Sequence, residues 1–310
     1  MRSIATLTPR SLHLNVLRKL RWLLVLLLLV PSFSSGYCVL KLALDKNGLI
    51  GSTSTSPNKI SATFKGPRSN SNPNNFRFTS PSSLDLVHRL RARCDFVITG
   101  SNTVIQDNPS FSCRRGVEYT RNPNRNPDRG EQNGPTRVVV DRGLKLLQWE
   151  LTNAPQTLNL LHPTPPSAPT ILYHLSNSSS HFSSPLNFVT LSGLPTTSSS
   201  LPDSILGSLS KTFAKTSPHP PQIMLEGGGN LARSFVESNL VTHAIIVQSP
   251  NSVFPKIEEG GVDGFVGRER KGLLDHGFVK LGEYDSEGDV VECWVKEGEK
   301  WPDDELKKWP

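Results

Sequence analysis

The run Gln222-Ile-Met-Leu-Glu226 is followed by Gly227-Gly228-Gly229-Asn230 and then by Leu231-Ala-Arg-Ser-Phe-Val236. A short apolar strand thus ends in a carboxylate, turns through three glycines and opens an amphipathic helix. Glycine has no Cβ, so a ligand can approach the backbone closely. The first free N–H groups of the helix point at that ligand from the positive end of the helix dipole. The pattern suits a phosphate or a nucleotide. It suits equally well a tight strand-to-helix turn with no ligand, and the segment by itself does not separate the two.

Gly227, Gly229 and Ala232 satisfy the spacing G-x-G-x-x-A of a dinucleotide fingerprint. The ribose-binding acid expected roughly twenty residues later is missing, because Thr242-His-Ala-Ile-Ile-Val-Gln248 is an uncharged strand. The motif also lies in the last third of the chain rather than in a first βαβ unit. The segment therefore reads as a glycine cradle without the standard dinucleotide fold.

Two further segments carry a family resemblance. Val39-Leu-Lys41-Leu-Ala43-Leu-Asp45-Lys-Asn47-Gly48-Leu-Ile50 resembles an opening strand of the form L-K-x-A-x-S-L-D-G. The stretch from Val87 to Arg114 matches H-x-L-R at His88–Arg91 and T-V-x-x-D-[DN]-P at Thr103–Pro109, resembles D-x-I-x-x-G at Asp95–Gly100 with Val97 in place of the isoleucine, and closes on basic Arg114. Pro135-Thr-Arg-Val-Val-Val-Asp141 and Glu226-Gly-Gly-Gly follow in the same order. These patterns resemble the reductase of riboflavin biosynthesis, which is the C-terminal half of the bacterial bifunctional deaminase-reductase and also occurs free-standing in fungi and archaea. Four ordered matches over residues 37–296 make chance a poor explanation. The chain departs from the pattern at Asp45-Lys46-Asn47, where the family has Ser-Leu-Asp, at Asn108, and at Arg77-Phe78-Thr79, where it has Trp-Ile-Thr.

The resemblance implies a dihydrofolate-reductase-like α/β fold, a mixed sheet with helices on both faces. It implies NADPH as cofactor and a phosphorylated ribosylamino-pyrimidine as substrate, reduced to the ribitylamino compound by hydride transfer to ribose C1′ after the sugar ring opens. It places Asn75, Arg91, Phe111, Arg114 and Glu226 at substrate, with Arg91 and Arg114 on its phosphate, since two guanidinium forks suit a dianion. It places Ala43, Thr79, Thr103, Asp107, Gly228, Gly229, Asn230 and Leu231 at the cofactor. Glu226 and Lys41 become the candidate catalytic pair, and a homodimer is expected. Plainer readings stand beside these, with Arg91 a solvated helix arginine and Asp107 an Asx-type turn residue. A nucleotide-binding relative without activity and a pteridine or dihydrofolate-type reductase are the other function classes in play. No zinc-deaminase pattern H-x-E with P-C-x-x-C occurs, so the neighbouring deamination is excluded.

The elements that would position these residues follow from local pattern. Strands are predicted over Tyr37–Leu44, Phe96–Gly100, Arg137–Val140, Thr170–Tyr173, Gln222–Glu226 and Ala244–Gln248. Helices are predicted from Ser80, as N-cap before Pro81, to Arg93, and over Leu201–Thr216 and Asn230–Ser238. Gly277–Tyr284 and Val290–Lys296 read as a closing hairpin. Alternating strands and helices with an antiparallel finish make an α/β domain over residues 37–298, followed by a surface tail over 299–310. Low-complexity insertions are expected near 52–78, 116–134 and 174–200.

The chain of 310 residues carries a formal charge of +7. Arg2, Arg10, Arg18, Lys19 and Arg21 lie in the first 36 residues, which contain no acid, and the remainder has 29 basic against 27 acidic residues. A nearly neutral body gives a nucleic-acid partner little support. The basic start precedes Trp22-Leu-Leu-Val-Leu-Leu-Leu-Leu-Val30 and small residues around Phe33. That run falls short of the ~20 residues that span a bilayer. Residues 1–36 are expected to be a cleavable signal segment, the membrane's only part in the protein. With Phe33 it suits signal-led delivery to a plastid, the alternatives being the secretory pathway and the cytosol. Cys38, Cys94, Cys113 and Cys293 form no C-x-x-C pair, so neither a metal site nor a disulfide framework is expected.

Overall fold

The computed structural model describes residues 36–52, 78–113, 134–154, 157–162, 169–175, 189–194, 201–215, 217, 219–254, 261–263, 265 and 270–302. Asn75, Arg114, the signal segment up to residue 35 and most of the expected insertions lie outside them. A compact unit begins at Gly36.

Nine strands form one sheet: β1 (Cys38–Leu44), β3 (Phe96–Gly100), β4 (Thr136–Val140), β5 (Thr170–Leu175), β6 (Val189–Leu194), β7 (Ile223–Leu225), β8 (His243–Gln248), β10 (Phe278–Ser286) and β11 (Asp289–Lys296). Their order is β10-β11-β8-β1-β7-β3-β4-β5-β6. The pairs from β8 to β6 are parallel, and β11 and β10 add antiparallel at one edge. A separate two-stranded sheet pairs β2 (Leu49–Ser52) with β9 (Gly261–Asp263).

The central strands are apolar in both directions, as strands covered on both faces must be. On one face Leu40, Leu42, Ile98, Val138, Leu225 and Ile246 pack against α4 (Leu201–Phe213), α5 (Gly229–Glu237) and α6 (Lys271–Leu274). On the other, Val39, Val97, Val139, Leu172, Met224 and Ile245 pack against α1 (Pro81–Arg93), α2 (Ser101–Asp107) and α3 (Lys145–Asn153). The expected mixed α/β sheet with helices on both faces is what the structure shows.

The start of α1 is as the sequence reads. Ser80 Oγ accepts from Ser83 N at 3.1 Å with Pro81 in the first turn, while Arg91 and Arg93 lie in the last turn, where the dipole favours cations. Differences have local causes. Residues 101–107, expected as part of a turn motif, form a helix too short to show periodicity, closed by Asn108 in the left-handed region at φ 40°. The cap of α3 comes from upstream, where Asp141 Oδ2 accepts from Leu146 N at 2.9 Å and Leu144 lacks a capping side chain. The stretch expected as an insertion over 174–200 contains the paired strand β6. The start of the expected tail is packed, with Lys300 O bonded to His243 Nε2 at 2.8 Å and the Trp301 ring 5.7 Å from that imidazole.

Asp45, fully buried at the end of β1, holds the next turn together. Its Oδ1 accepts from Asn47 N and Leu49 N, and its Oδ2 accepts from Val253 N and Phe254 N. Removing this acceptor strands buried donors, so Asp45→Ala is expected to lower stability by about 3 kcal/mol. Urea unfolding that gives the variant wild-type stability would refute that role.

Candidate functional site

Sheet register brings the site together. Leu40 pairs with Leu225 and Leu225 with Ile98, and Glu226 N extends the ladder by donating to Ile98 O at 2.9 Å. One residue beyond that row come Lys41, Glu226 and Thr99, on three adjacent strands. Side chains alternate along a strand, so all three face the side of α1, α2 and α3. Arg91 reaches down from α1 and grips Glu226 with both prongs, Nε to Oε2 at 2.9 Å and Nη2 to Oε1 at 2.7 Å. The pair is mostly buried, with 12% and 17% of the side chains exposed. Beside it the Phe111 ring lies 5.0 Å from the Arg91 guanidinium carbon. Phe111 holds the left-handed φ of 48°, a conformation that a bulky side chain adopts only under constraint.

The charges are mutually adjusted. Burial alone would raise the Glu226 carboxyl, but Arg91 and then Lys41 outweigh it and hold the group below its ordinary range. Burial holds Lys41 below its ordinary value, against the pull of Glu226. Burial and then the Glu226 charge push Asp107 up to about 6, opposed by Lys41. Asp107 is solvent-exposed, which tempers the burial part. Lys41, Arg91, Glu226 and Asp107 thus form one coupled group from β1, α1, the end of β7 and the end of α2.

Next to it lies the glycine turn. The chain leaves β3 toward α2 on one face and leaves the adjacent β7 toward α5 on the opposite face. Neighbouring parallel strands whose connections diverge in this way open a crevice at their C-terminal ends, the usual ligand position in such sheets. A Cβ on Gly227 would sit 3.0 Å from Leu231 Cδ2, which would have to give by a few tenths of an ångström, and in ordinary contact at 3.6 Å with Gly100 N, so the two crossings pass close together here. A Cβ on Gly228 would lie 3.9 Å from Thr103 Oγ1, which brings those two expected cofactor residues side by side. No side chain caps α5 at Gly228. Its first-turn amides at Gly229 and Asn230 have no helical acceptor and suit an anionic diphosphate. The residues therefore fit a dinucleotide.

Of the expected site residues, Lys41, Arg91, Phe111, Asp107 and Glu226 come together, as do Thr103, Gly228, Gly229, Asn230 and Leu231. Ala43 follows Lys41 by two residues on the same strand face. Thr79 precedes α1. One relation was not foreseen, namely that Arg91 and Glu226, expected to touch different parts of a substrate, bind each other. Three further residues bear on the group: His88, which the sequence reads as an ordinary satisfied helical histidine, and Thr99 and Asp289, which it does not single out. His88 is buried one turn before Arg91 and its charge helps to lower Glu226; the spacing of three on a helix was the available signal. Thr99 is fully buried, and its hydroxyl has no hydrogen-bond partner among the described residues. Asp289, from the distant hairpin, acts on Lys41.

Comparison with known proteins bears on the fold and the family resemblance. Residues 62–182 match the RibD C-terminal domain family. The resemblance read from the sequence is thus to the family whose model matches. No curated protein sequence matches the chain. Among solved structures, RibD of Acinetobacter baumannii is 17% identical with a TM-score of 0.55, and the alignment covers 84% of this chain and 58% of that one. A diaminohydroxyphosphoribosylaminopyrimidine deaminase/5-amino-6-(5-phosphoribosylamino)uracil reductase from Thermotoga maritima is 18% identical with a TM-score of 0.50, covering 84% and 56%. A riboflavin biosynthesis reductase of Saccharomyces cerevisiae is 15% identical with a TM-score of 0.51, covering 84% and 89%. The chain therefore spans little more than half the length of the two bacterial proteins and most of the yeast one. At these identities the shared property is the fold.

Breaking the buried pair leaves Glu226 uncompensated, so Arg91→Ala is expected to cost about 3 kcal/mol at pH 7. The sign follows from the lowered carboxyl: the pair's contribution is complete above the ordinary value of 4.5 and is lost as pH falls through the lower folded value. The penalty should therefore shrink in acid. Denaturant curves at pH 7 and pH 3.5 that show the same penalty would contradict this linkage.

Proposed function

We propose that the chain is an NADPH-dependent reductase of riboflavin biosynthesis. It would reduce the ribosylamino side chain of 5-amino-6-(5-phosphoribosylamino)uracil, or of the 2,5-diamino-pyrimidinone precursor, to ribitylamino. The RibD C-terminal match and the reductases named above support oxidoreductase chemistry of this class. The observation that carries the reading is the coupled Lys41, Arg91, Glu226 and Asp107 group set directly beside the glycine turn.

Bound NADPH would supply the hydride. Gly228, Gly229, Asn230 and Leu231 would hold its diphosphate through α5 amides, with Thr103 alongside and Asp107, Thr79 and Ala43 on its ribose and nicotinamide half. Lys41, whose ammonium is destabilised by burial, would give up the proton that ring opening requires. Glu226, kept ionised, would steer the opened sugar. Arg91 holds Glu226, so its part in phosphate binding would need the pair to loosen or share the guanidinium; Arg114 and Asn75 would complete the substrate contacts.

The test is purified protein with NADPH and each of the two pyrimidines, followed by NADPH oxidation. Turnover of one pyrimidine, with a fall in both kcat and kcat/KM of about tenfold to a thousandfold in Glu226→Gln, is the expected result. NADPH binding without turnover would leave a nucleotide-binding relative, and turnover of dihydrofolate instead would make it a pteridine-type reductase.

Residues 1–36 would act as a cleaved signal segment leading to a plastid, supported by the acid-free basic start and the short apolar run. Mass spectrometry of native protein should find an N-terminus between Val30 and Tyr37; a mature chain that retains Met1–Val30 would rule out cleavage.

A further inference from the structure

Residues 78–80 lead into α1 and carry Thr79. They run along the C-terminal end of β8 and the N-terminal end of β11, where several bonds fasten them. Ser249 Oγ donates to Phe78 O at 2.9 Å, Ser80 N donates to Asp289 Oδ2 at 2.7 Å, and Ser80 Oγ donates to Ser286 O at 2.7 Å. Ser82 N adds a bond to Glu287 Oε2 at 3.1 Å. The Phe78 ring meets Phe254 edge-on at 5.2 Å, and the Phe254 backbone is itself held by Asp45.

The register explains this convergence. Ala43 pairs with Val247, and Val247 with Val291. Two residues on from Ala43 and Val247, and two back from Val291, come Asp45, Ser249 and Asp289. Each lies at the C-terminal end of the parallel strands, on the same sheet face as Lys41. All three are buried, at 0%, 0% and 3% exposure. Buried polar groups at the rim of an apolar sheet need partners: Ser249 and Asp289 find theirs in this segment, and Asp45 binds its own turn and the loop that packs on Phe78. Asp289 sits just after the hairpin turn Glu287-Gly288, whose positive φ values of 54° and 91° fit a two-residue turn and fix where its carboxylate points. Its partner is the amide of the capping residue of α1, at the positive end of that helix.

We propose that Asp289 is a positioning residue: it pins Ser80 to the sheet, so that Thr79 faces the cofactor and α1 presents Arg91 to Glu226. The assignment of Thr79 rests on the reductase reading above. The hairpin at the far end of the sequence would thereby set one wall of the site without touching the reacting atoms.

Three full-length proteins test this: wild type, Asp289→Ala, and Asp289→Asn, which keeps a carbonyl acceptor for Ser80 N. Hydrogen exchange without ligand should be at least tenfold faster at the amides of Ser80, Ser82 and Ser83 in Asp289→Ala, and close to wild type in Asp289→Asn. Fluorescence titration should show the NADPH Kd raised about tenfold in Asp289→Ala and largely restored in Asp289→Asn. Should Asp289→Ala not fold, Ser249→Ala, which releases the neighbouring Phe78 bond, should show the same two effects in smaller degree. Wild-type exchange or wild-type Kd in a folded Asp289→Ala overturns the proposal, as does equal impairment by both Asp289 substitutions. A wild-type chain that binds no NADPH sinks the reductase reading instead, and the exchange comparison still decides whether Asp289 holds this segment.

Discussion

The two-pronged contact between Arg91 and Glu226 is the constraint on which the site depends. It joins the last turn of α1 to the end of β7 across a distance of 135 residues in sequence. Each charge would be costly to bury alone, and together they permit a carboxylate to stay ionised inside an apolar sheet. Burial raises Asp107 and the Glu226 charge raises it further, while burial lowers Lys41 and Glu226 draws it back toward its charged form. Phe111 beneath Arg91 completes the support, taking a constrained backbone angle to do so.

The charged residues fall into two kinds. Asp45 is satisfied on both oxygens by backbone amides, and Asp141 caps α3. These carboxylates organise turns. Lys41 and Asp107 instead hold displaced proton affinities beside one another, the condition in which groups are poised for proton transfer. The same distinction accounts for the departure at Asp45-Lys46-Asn47. Its acid serves the loop that packs on Phe78, so the change in sequence falls on structure rather than on the coupled charges.

Much of this was legible in the sequence. The strands around Val39, Val97, Val138 and Ile245 announce themselves as short apolar runs, and Ser80-Pro81 marks the start of α1 through its own side chains. The glycine turn and the ordered motifs led to Lys41, Asp107 and Glu226. What escaped was carried by partners far apart in the chain. The cap of α3 comes from Asp141, the short α2 has too few residues for periodicity, and β6 lies inside a polar stretch where only its pairing with β5 shows it to be a strand. The mutual grip of Arg91 and Glu226 depends on register between strands, which one-dimensional spacing does not contain.

The placement of β1 has a consequence for how the protein is made. Among the described residues the first strand lies inside the sheet, and both of its neighbours come late: Cys38 waits for Ile223, and Val39 for His243. While β3, β4, β5 and β6 emerge and can pair in turn, β1 must remain beside them with both edges unpaired and its apolar faces uncovered. Such delayed, long-range closure makes folding slow and exposes aggregation-prone strand edges meanwhile. A nascent chain arrested before β7 would therefore hold Lys41, Arg91 and Asp107 and still lack both Glu226 and the strand that seats β1 beside β3.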